Sequence, residues 1–216
     1  MSKKINILGI GHNSIAMIDL AEDCGYDIAG LYHYSGDRTG EDYFGFTISG
    51  CTEELLNQDS LSGMNFLLTM GENSIRTELY NRIIAKGGCV PTLIHPTATV
   101  SKRSQIGNGV IIMPHSIVQA DVTIEDNTII TLNSTVSHSS TIGNNCFISG
   151  HNLIGAYVNI GDGCWIGQSC LIVSGEVNSI GEKSVLGAGS VLRNDMRPGC
   201  LYLGNPARLV KRLKIR

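Results

Sequence analysis

Stepping by six from Ile94 through Val100, Ile106 and Ile112 to Ile172 meets Ile or Val at all fourteen positions. Four residues after each stands a second, smaller set that begins Ala98, Ser104, Val110 and Ser116 and later includes Cys146, Cys164 and Cys170. A helix of 3.6 residues per turn cannot keep such a frame. A six-residue unit with one large and one small inward position describes one face of a triangular parallel β-helix, three units to a coil, each coil stacked on the last. The three cysteines then read as core filler rather than as ligands or nucleophiles. After Ile172 the frame slips by two, because the next matches are Ile180, Leu186 and Leu192, so residues 173–179 are expected to bulge outward, with Glu176 at the slip.

The first ninety residues follow another rhythm. Residues 5–9 read as a buried strand, 14–24 as a helix, 26–32 as a second strand, 65–70 as a third and 73–85 as a helix. Strands alternating with helices imply a small parallel α/β unit. Gly87-Gly88 and Pro91 punctuate the chain and put a boundary near residues 89–92. The expected organisation is therefore a Rossmann-like α/β domain over 1–91, a β-helix over 92–195 and a basic extension over 196–216. In that extension residues 209–215 read as a helix capping the open end of the solenoid.

Composition narrows the picture. Of the 216 residues 42% are hydrophobic, 16% charged and only 6% aromatic, which excludes a disordered chain and leaves the core to small and aliphatic side chains. No window approaches the roughly 18 to 20 consecutive apolar residues of a membrane span. Residues 1–4 lead into a short strand rather than the apolar stretch of a signal peptide, and the seven cysteines form no Cys-x-x-Cys pair, so a cytoplasmic protein with reduced thiols is expected. The net charge of −3 is unevenly spread: from Arg193 onward seven basic residues face Asp195 alone, a local +6, against −9 for the rest. Such a tail attracts an anion, while the acidic remainder and the lack of aromatic stacking positions argue against nucleic acid.

Three motifs carry candidate chemistry. Gly9-Ile10-Gly11-His12-Asn13 follows the first strand and precedes its helix, where backbone N–H groups and a helix N-terminus suit a phosphate. A dinucleotide fingerprint would place a third glycine where Ser14 stands and an acid where Tyr32-His33-Tyr34 ends the second strand, so NAD is not expected. On the repeat, His115, His138 and His151 fall at corners or outer faces, and imidazole is the side chain suited to proton transfer near neutral pH. Their spacings of 23 and 13 are not multiples of the 18-residue coil, so no metal site is expected. Gly204-Asn205-Pro206-Ala207-Arg208 follows the last repeat.

Together with Gly71-Glu72-Asn73-Ser74-Ile75-Arg76 and Val136-Ser137-His138, these motifs resemble the NeuD/PglD family of bacterial acetyltransferases over nearly the whole chain. The resemblance implies a left-handed β-helix, a homotrimer with active sites between subunits, and acetyl-CoA as donor. It implies acetyl transfer to the amine of a nucleotide-linked amino sugar in surface-glycan biosynthesis, with O-acetylation of a sialic-type sugar or a non-catalytic repeat scaffold as alternatives. Carried over, the general base falls on His138 and the nucleotide-sugar loop on Gly11, His12 and Asn13 with Gly71 nearby. The acetyl-CoA positions fall on Phe147, Gly167, Gln168, Gly187 and Ala188, and the basic Arg208 and Lys211 suit the phosphates of coenzyme A. Three positions depart from the family pattern: Ser139 stands where an acid often follows the base, Phe147 where a second histidine is often found, and His33-Tyr34 where paired aspartates commonly end the second strand.

Overall fold

The computed structural model describes residues 3–11 and 14–213. His12 and Asn13 of the glycine loop, and Lys214 to Arg216, lie outside the described residues. The chain divides into two compact units, residues 1–93 and 94–216.

The first unit is built on a five-stranded sheet. β1 (Lys3–Leu8), β2 (Tyr26–His33), β4 (Phe46–Cys51) and β5 (Phe66–Leu68) are parallel, and the short β3 (Asp42–Tyr43) runs antiparallel at the edge, giving the order β3-β4-β2-β1-β5. Helix α1 (Ser14–Asp23) connects β1 to β2, α2 (Thr52–Leu56) connects β4 to β5, and α3 (Asn73–Ala85) follows β5. α3 spans the residues expected of it and α1 ends one residue early. The β3–β4 hairpin and α2 were not anticipated, because residues 36–60 carry short, polar-interrupted runs with no sustained period. The largely apolar stretches in β1 and β5, all buried from Ile5 to Leu8, where Asn6 is the one polar residue, and from Phe66 to Leu68, are what a parallel strand covered on both faces needs. Successive parallel strands spread from β1 first toward β2 and β4, then in the opposite direction to β5. In open α/β sheets such a reversal opens a crevice at the carboxyl ends of the strands flanking it. Here those strands are β1 and β5.

The second unit is a parallel β-helix, consistent with the left-handed form, made of two-residue strands joined by short turns. Its first face stacks Ile111–Ile112, Ile129–Ile130, Phe147–Ile148, Trp165–Ile166 and Val185–Leu186. The second stacks Thr99–Val100, Ile117–Val118, Thr135–Val136, Leu153–Ile154, Leu171–Ile172 and Val191–Leu192. The third stacks Gln105–Ile106, Thr123–Ile124, Thr141–Ile142, Asn159–Ile160 and Ser179–Ile180. The second residue of each pair is the six-step aliphatic one, and from Ile112 to Leu192 these residues are buried in a single column. The small inward set lies beside them, with Val110, Val122, Cys146, Val158 and Cys164 wholly buried. Its polar members are satisfied along the axis: Ser134 Oγ donates to the Ser149 carbonyl at 3.0 Å, and Ser140 Oγ to the Gly155 carbonyl at 2.9 Å.

The slip falls where the spacing places it. Ile160 pairs with Ile180, Ile166 with Leu186 and Ile172 with Leu192, twenty residues apart in place of eighteen. Residues 173–178 absorb the difference; Glu176 turns outward and Val177 drops into the core instead. The expected C-terminal helix is corrected. Cys200–Gly204 pairs parallel to the last strand of the first face, and Ala207–Arg212 folds back antiparallel on it as a hairpin. A final coil leaves a sheet edge with unpaired N–H and C=O groups, which added strands satisfy and a helix laid across the end would not. Only Ala207 of the returning strand is buried.

Candidate active site

In the first unit the two loops at the sheet reversal are held together. Gly9 turns with φ +94°, a backbone conformation that favours glycine, and a Cβ on it would displace only the flexible end of Met70. Thr69 Oγ1 donates to the Gly9 carbonyl at 2.6 Å, which ties the β1 loop to the β5 loop that carries Gly71. Gly11 is open, with nothing nearer its missing side chain than the Gly9 carbonyl at 3.9 Å. Ser14, in place of a third glycine, is buried and fills the turn: the Gly11 N–H donates to its Oγ at 2.8 Å, and that hydroxyl donates back to the Gly11 carbonyl at 2.6 Å. Tyr43 reaches across from β3 and donates to the same carbonyl at 2.9 Å. The Gly11 N–H is therefore engaged within the loop. At the end of β2, His33 is buried, with the Ser35 N–H donating to its Nδ1 at 3.2 Å, so Tyr34 alone of the pair is presented, 78% exposed.

In the second unit the sequence-selected residues fall on two different edges of the prism. His138 stands exposed on the turn between the second and third faces. Its N–H donates to Gln119 Oε1 of the preceding coil at 3.0 Å, its carbonyl accepts from the Tyr157 N–H of the following coil at 3.3 Å, and Nδ1 lies 3.4 Å from Ser139 Oγ. Phe147 lies on the first face, stacked on Trp165 of the next coil with centroids 4.3 Å apart and planes 12° from parallel. Gly167-Gln168 and Gly187-Ala188 follow in the next two coils, on the turns between the first and second faces. Gly167 owes its identity to coil stacking, because a Cβ there would lie 2.4 Å from the Ala188 backbone nitrogen, whereas Gln168 and Ala188 are exposed. His115 and His151 also sit on turns after the first face, one edge away from His138.

Arg208 and Lys211 lie on the returning hairpin strand and are exposed. Arg208 joins Glu176, Arg193, Asn194 and Pro206 in lining a cleft of about 540 Å³. Arg193 was missed by sequence reasoning; it grips Glu176 through two nitrogens, Nε at 2.7 Å from Oε2, and this holds the Glu176 carboxyl below its ordinary range. Glu176, Arg193 and Asn194 continue, coil by coil, the edge on which His138 stands. Trp165 and Tyr157 were missed as well. Counting one coil on from Phe147 and from His138 would have found both, since they lie 18 and 19 residues further along.

With this geometry in hand, likeness to known proteins can be placed. Residues 103–131 match the family pattern described as Bacterial transferase hexapeptide (six repeats). A 48-residue segment is 46% identical to UDP-N-acetylbacillosamine N-acetyltransferase of Bacillus subtilis, and it spans 22% of this chain and 22% of that protein. Over the whole fold the chain is similar to the acetyltransferase domain of PglB from Neisseria gonorrhoeae, solved in complex with acetyl coenzyme A, with a TM-score of 0.86, 29% identity, and coverage of 97% of this chain and 100% of that one. It is also similar to PerB from Caulobacter crescentus, solved with CoA and GDP-perosamine, with a TM-score of 0.86, 25% identity, and coverage of 96% and 97%. In its repeat, over residues 103–131, and in its fold, over almost the entire chain, this protein is therefore similar to hexapeptide transferases.

Proposed function

We propose that the chain is an acetyl-CoA-dependent N-acetyltransferase acting on the amine of a nucleotide-linked amino sugar in surface-glycan biosynthesis. The observation that carries the reading is the full-length likeness to two acetyltransferases, one solved with acetyl coenzyme A and the other with CoA and a nucleotide-linked amino sugar. The crevice between β1 and β5 supports it, because the topology opens a ligand site at the loops of Gly11 and Gly71. In this reading those loops, with His12 and Asn13, take the nucleotide, and His138 takes the proton.

A sugar amine is largely protonated at neutral pH and attacks only as the free base. Nε2 of His138 accepts a proton from the nitrogen as its lone pair forms the bond to the thioester carbonyl carbon. The tetrahedral adduct collapses with cleavage of the C–S bond, the thiolate of coenzyme A leaves, and the imidazolium returns the proton to sulfur or to water. Acetyl-CoA is the donor, lying along Phe147, Gln168 and Ala188, with Arg193, Arg208 and Lys211 offering charge to its phosphates.

His138 and the exposed donor-site residues Gln168 and Ala188 occupy different edges of one prism, so one chain does not bring them together. A homotrimer in which the His138 edge of one copy meets the Gln168 edge of the next completes the site. Ile117, Leu153 and Leu171 support association, since they stand exposed along the second face, with Thr135 between the first two, 40%, 45% and 36% accessible in the single chain. No helix among the described residues is long and apolar enough to cross a membrane, and none of the seven cysteines is in a disulfide, which fits action in the cytoplasm.

The test is a steady-state assay of thiol release with a panel of nucleotide-linked amino sugars. His138→Ala is expected to lower kcat by about 10² to 10⁴ with acetyl-CoA affinity unchanged, the usual share of general base catalysis. His151→Ala is expected to keep kcat, and because His151 shares the edge of Gln168 and Ala188, any loss there is expected in acetyl-CoA KM. Full activity in His138→Ala would overturn the assignment.

A further inference from the structure

One residue in most turns of the coil is held in the left-handed backbone region. From His115 to Lys183 these residues are chiefly Asn, Asp, Ser and His, with φ between +53° and +62°. Asparagine and aspartate tolerate that conformation and glycine adopts it freely, whereas a bulky side chain there is an outlier. Tyr157, at φ +61°, is the one phenol or phenyl ring so placed among the described residues of the repeat. Burial does not explain it, because the side chain is 65% exposed.

What the ring meets is His138. The two rings lie 5.2 Å apart between centroids at 89°, an edge-to-face pair, and the Tyr157 backbone N–H is bonded to the His138 carbonyl. The histidine has little else to orient its ring: Ser139 Oγ is 3.4 Å from Nδ1, too long to fix a plane, and among the described residues no carboxylate bonds the imidazole. We propose that Tyr157 is a positioning residue for His138, its ring packing against the imidazole and holding it in the orientation that offers Nε2 to the acceptor amine. The left-handed backbone aims the phenol back along the edge at the preceding coil, which a residue at the neighbouring turn positions 156 or 158, both buried, would not do. The inference rests on His138 being the base.

Two replacements remove the ring while suiting the turn. Tyr157→Gly relaxes the backbone, and Tyr157→Asn installs a residue already used at other turns. Both are expected to melt no lower than the parent and to lose about ten- to hundredfold in kcat, the scale of a slightly misplaced catalytic group, with the KM of both substrates little changed. Tyr157→Phe keeps the ring and is expected to keep kcat within about twofold. Unchanged kcat in the Gly and Asn variants would overturn the proposal, as would a loss confined to acceptor KM, which would make the ring a substrate contact. So would a Phe variant as slow as the Gly variant, which would assign the effect to the hydroxyl. His138→Ala assayed in parallel separates the two levels: if it is fully active the base assignment has failed, and if it is inactive while the Gly and Asn variants are not, only the role of Tyr157 has failed.

Discussion

Arg76 sits on α3 between Ile75 and Thr77, where nothing local marks it for the interior, and yet it is wholly buried. Its guanidinium donates to the carbonyls of Met70 at 3.2 Å and Gly71 at 3.3 Å and to Asn73 Oδ1 at 2.8 Å, so one side chain holds the β5 loop that faces the glycine turn. A planar fork of donors fits three acceptors around one loop, and an ammonium cannot span them. Arg76→Leu removes charge-assisted bonds and leaves the half-buried carbonyls of the loop without that donor, with an expected loss of about 2 kcal/mol. Calorimetry is expected to show an earlier transition, and the acceptor KM is expected to rise because the loop at Gly71 is no longer fixed; Arg76→Lys is expected to recover little of either. None of this was legible beforehand. The sequence marks His138 because imidazole chemistry and motif coincide there, and it marks Gly9 because a glycine before a helix is a local signal. The reach of Arg76 back to a loop depends on tertiary placement that no window of residues encodes.

The repeat is the element whose identity could be read directly from its period, because a β-helix converts spacing into space: six residues to a face and eighteen to a coil. The slip was legible for the same reason. What anchors it was not, since Asp195 lies 17 residues from the backbone it serves. Its Oδ1 accepts the N–H of Asn178 at 2.7 Å and of Ser179 at 3.0 Å, pinning the end of the bulge to the next coil. Those donors, that of Ser179 first, hold the carboxyl below its ordinary range. A carboxyl depressed in the folded state stabilises it above the unfolded pKa, and that contribution disappears as pH falls through the carboxylate range. Asp195→Asn is accordingly expected to melt lower than the parent at pH 7 and to depend less on pH between about 5 and 2, so that the two melting curves converge in acid. A parallel offset across that range would show that shape rather than charge anchors the bulge. The C-terminal hairpin was misread at this same scale: short basic runs with scattered Leu and Val suit a helix face or an edge strand equally, and the open sheet edge decides.

At the scale of the molecule the unresolved choice in the sequence is how many chains make one site. A triangular solenoid places His138 on one edge and Gln168 and Ala188 on another, and the column of Ile and Val between them is close-packed, so no motion of side chains brings the two sets together within a coil. If the site spans neighbouring copies, two damaged chains repair each other. His138→Ala lacks the base and keeps its donor edge; Ala188→Trp keeps the base and blocks its donor edge, at an exposed position that admits the larger side chain. Each alone is expected to be inactive. Co-expressed with different tags and purified through both, every mixed trimer, whichever chain is in the majority, presents an intact His138 edge to an intact Ala188 edge at one site in three, because a cyclic trimer repeats one heterologous contact around the ring. Mixed preparations should then recover roughly a third of the parental kcat with unaltered KM for both substrates. A site built within one chain predicts no recovery at any mixing ratio, so doubly tagged trimers that form and stay inactive would place both edges of the site in the same subunit and refute the shared arrangement.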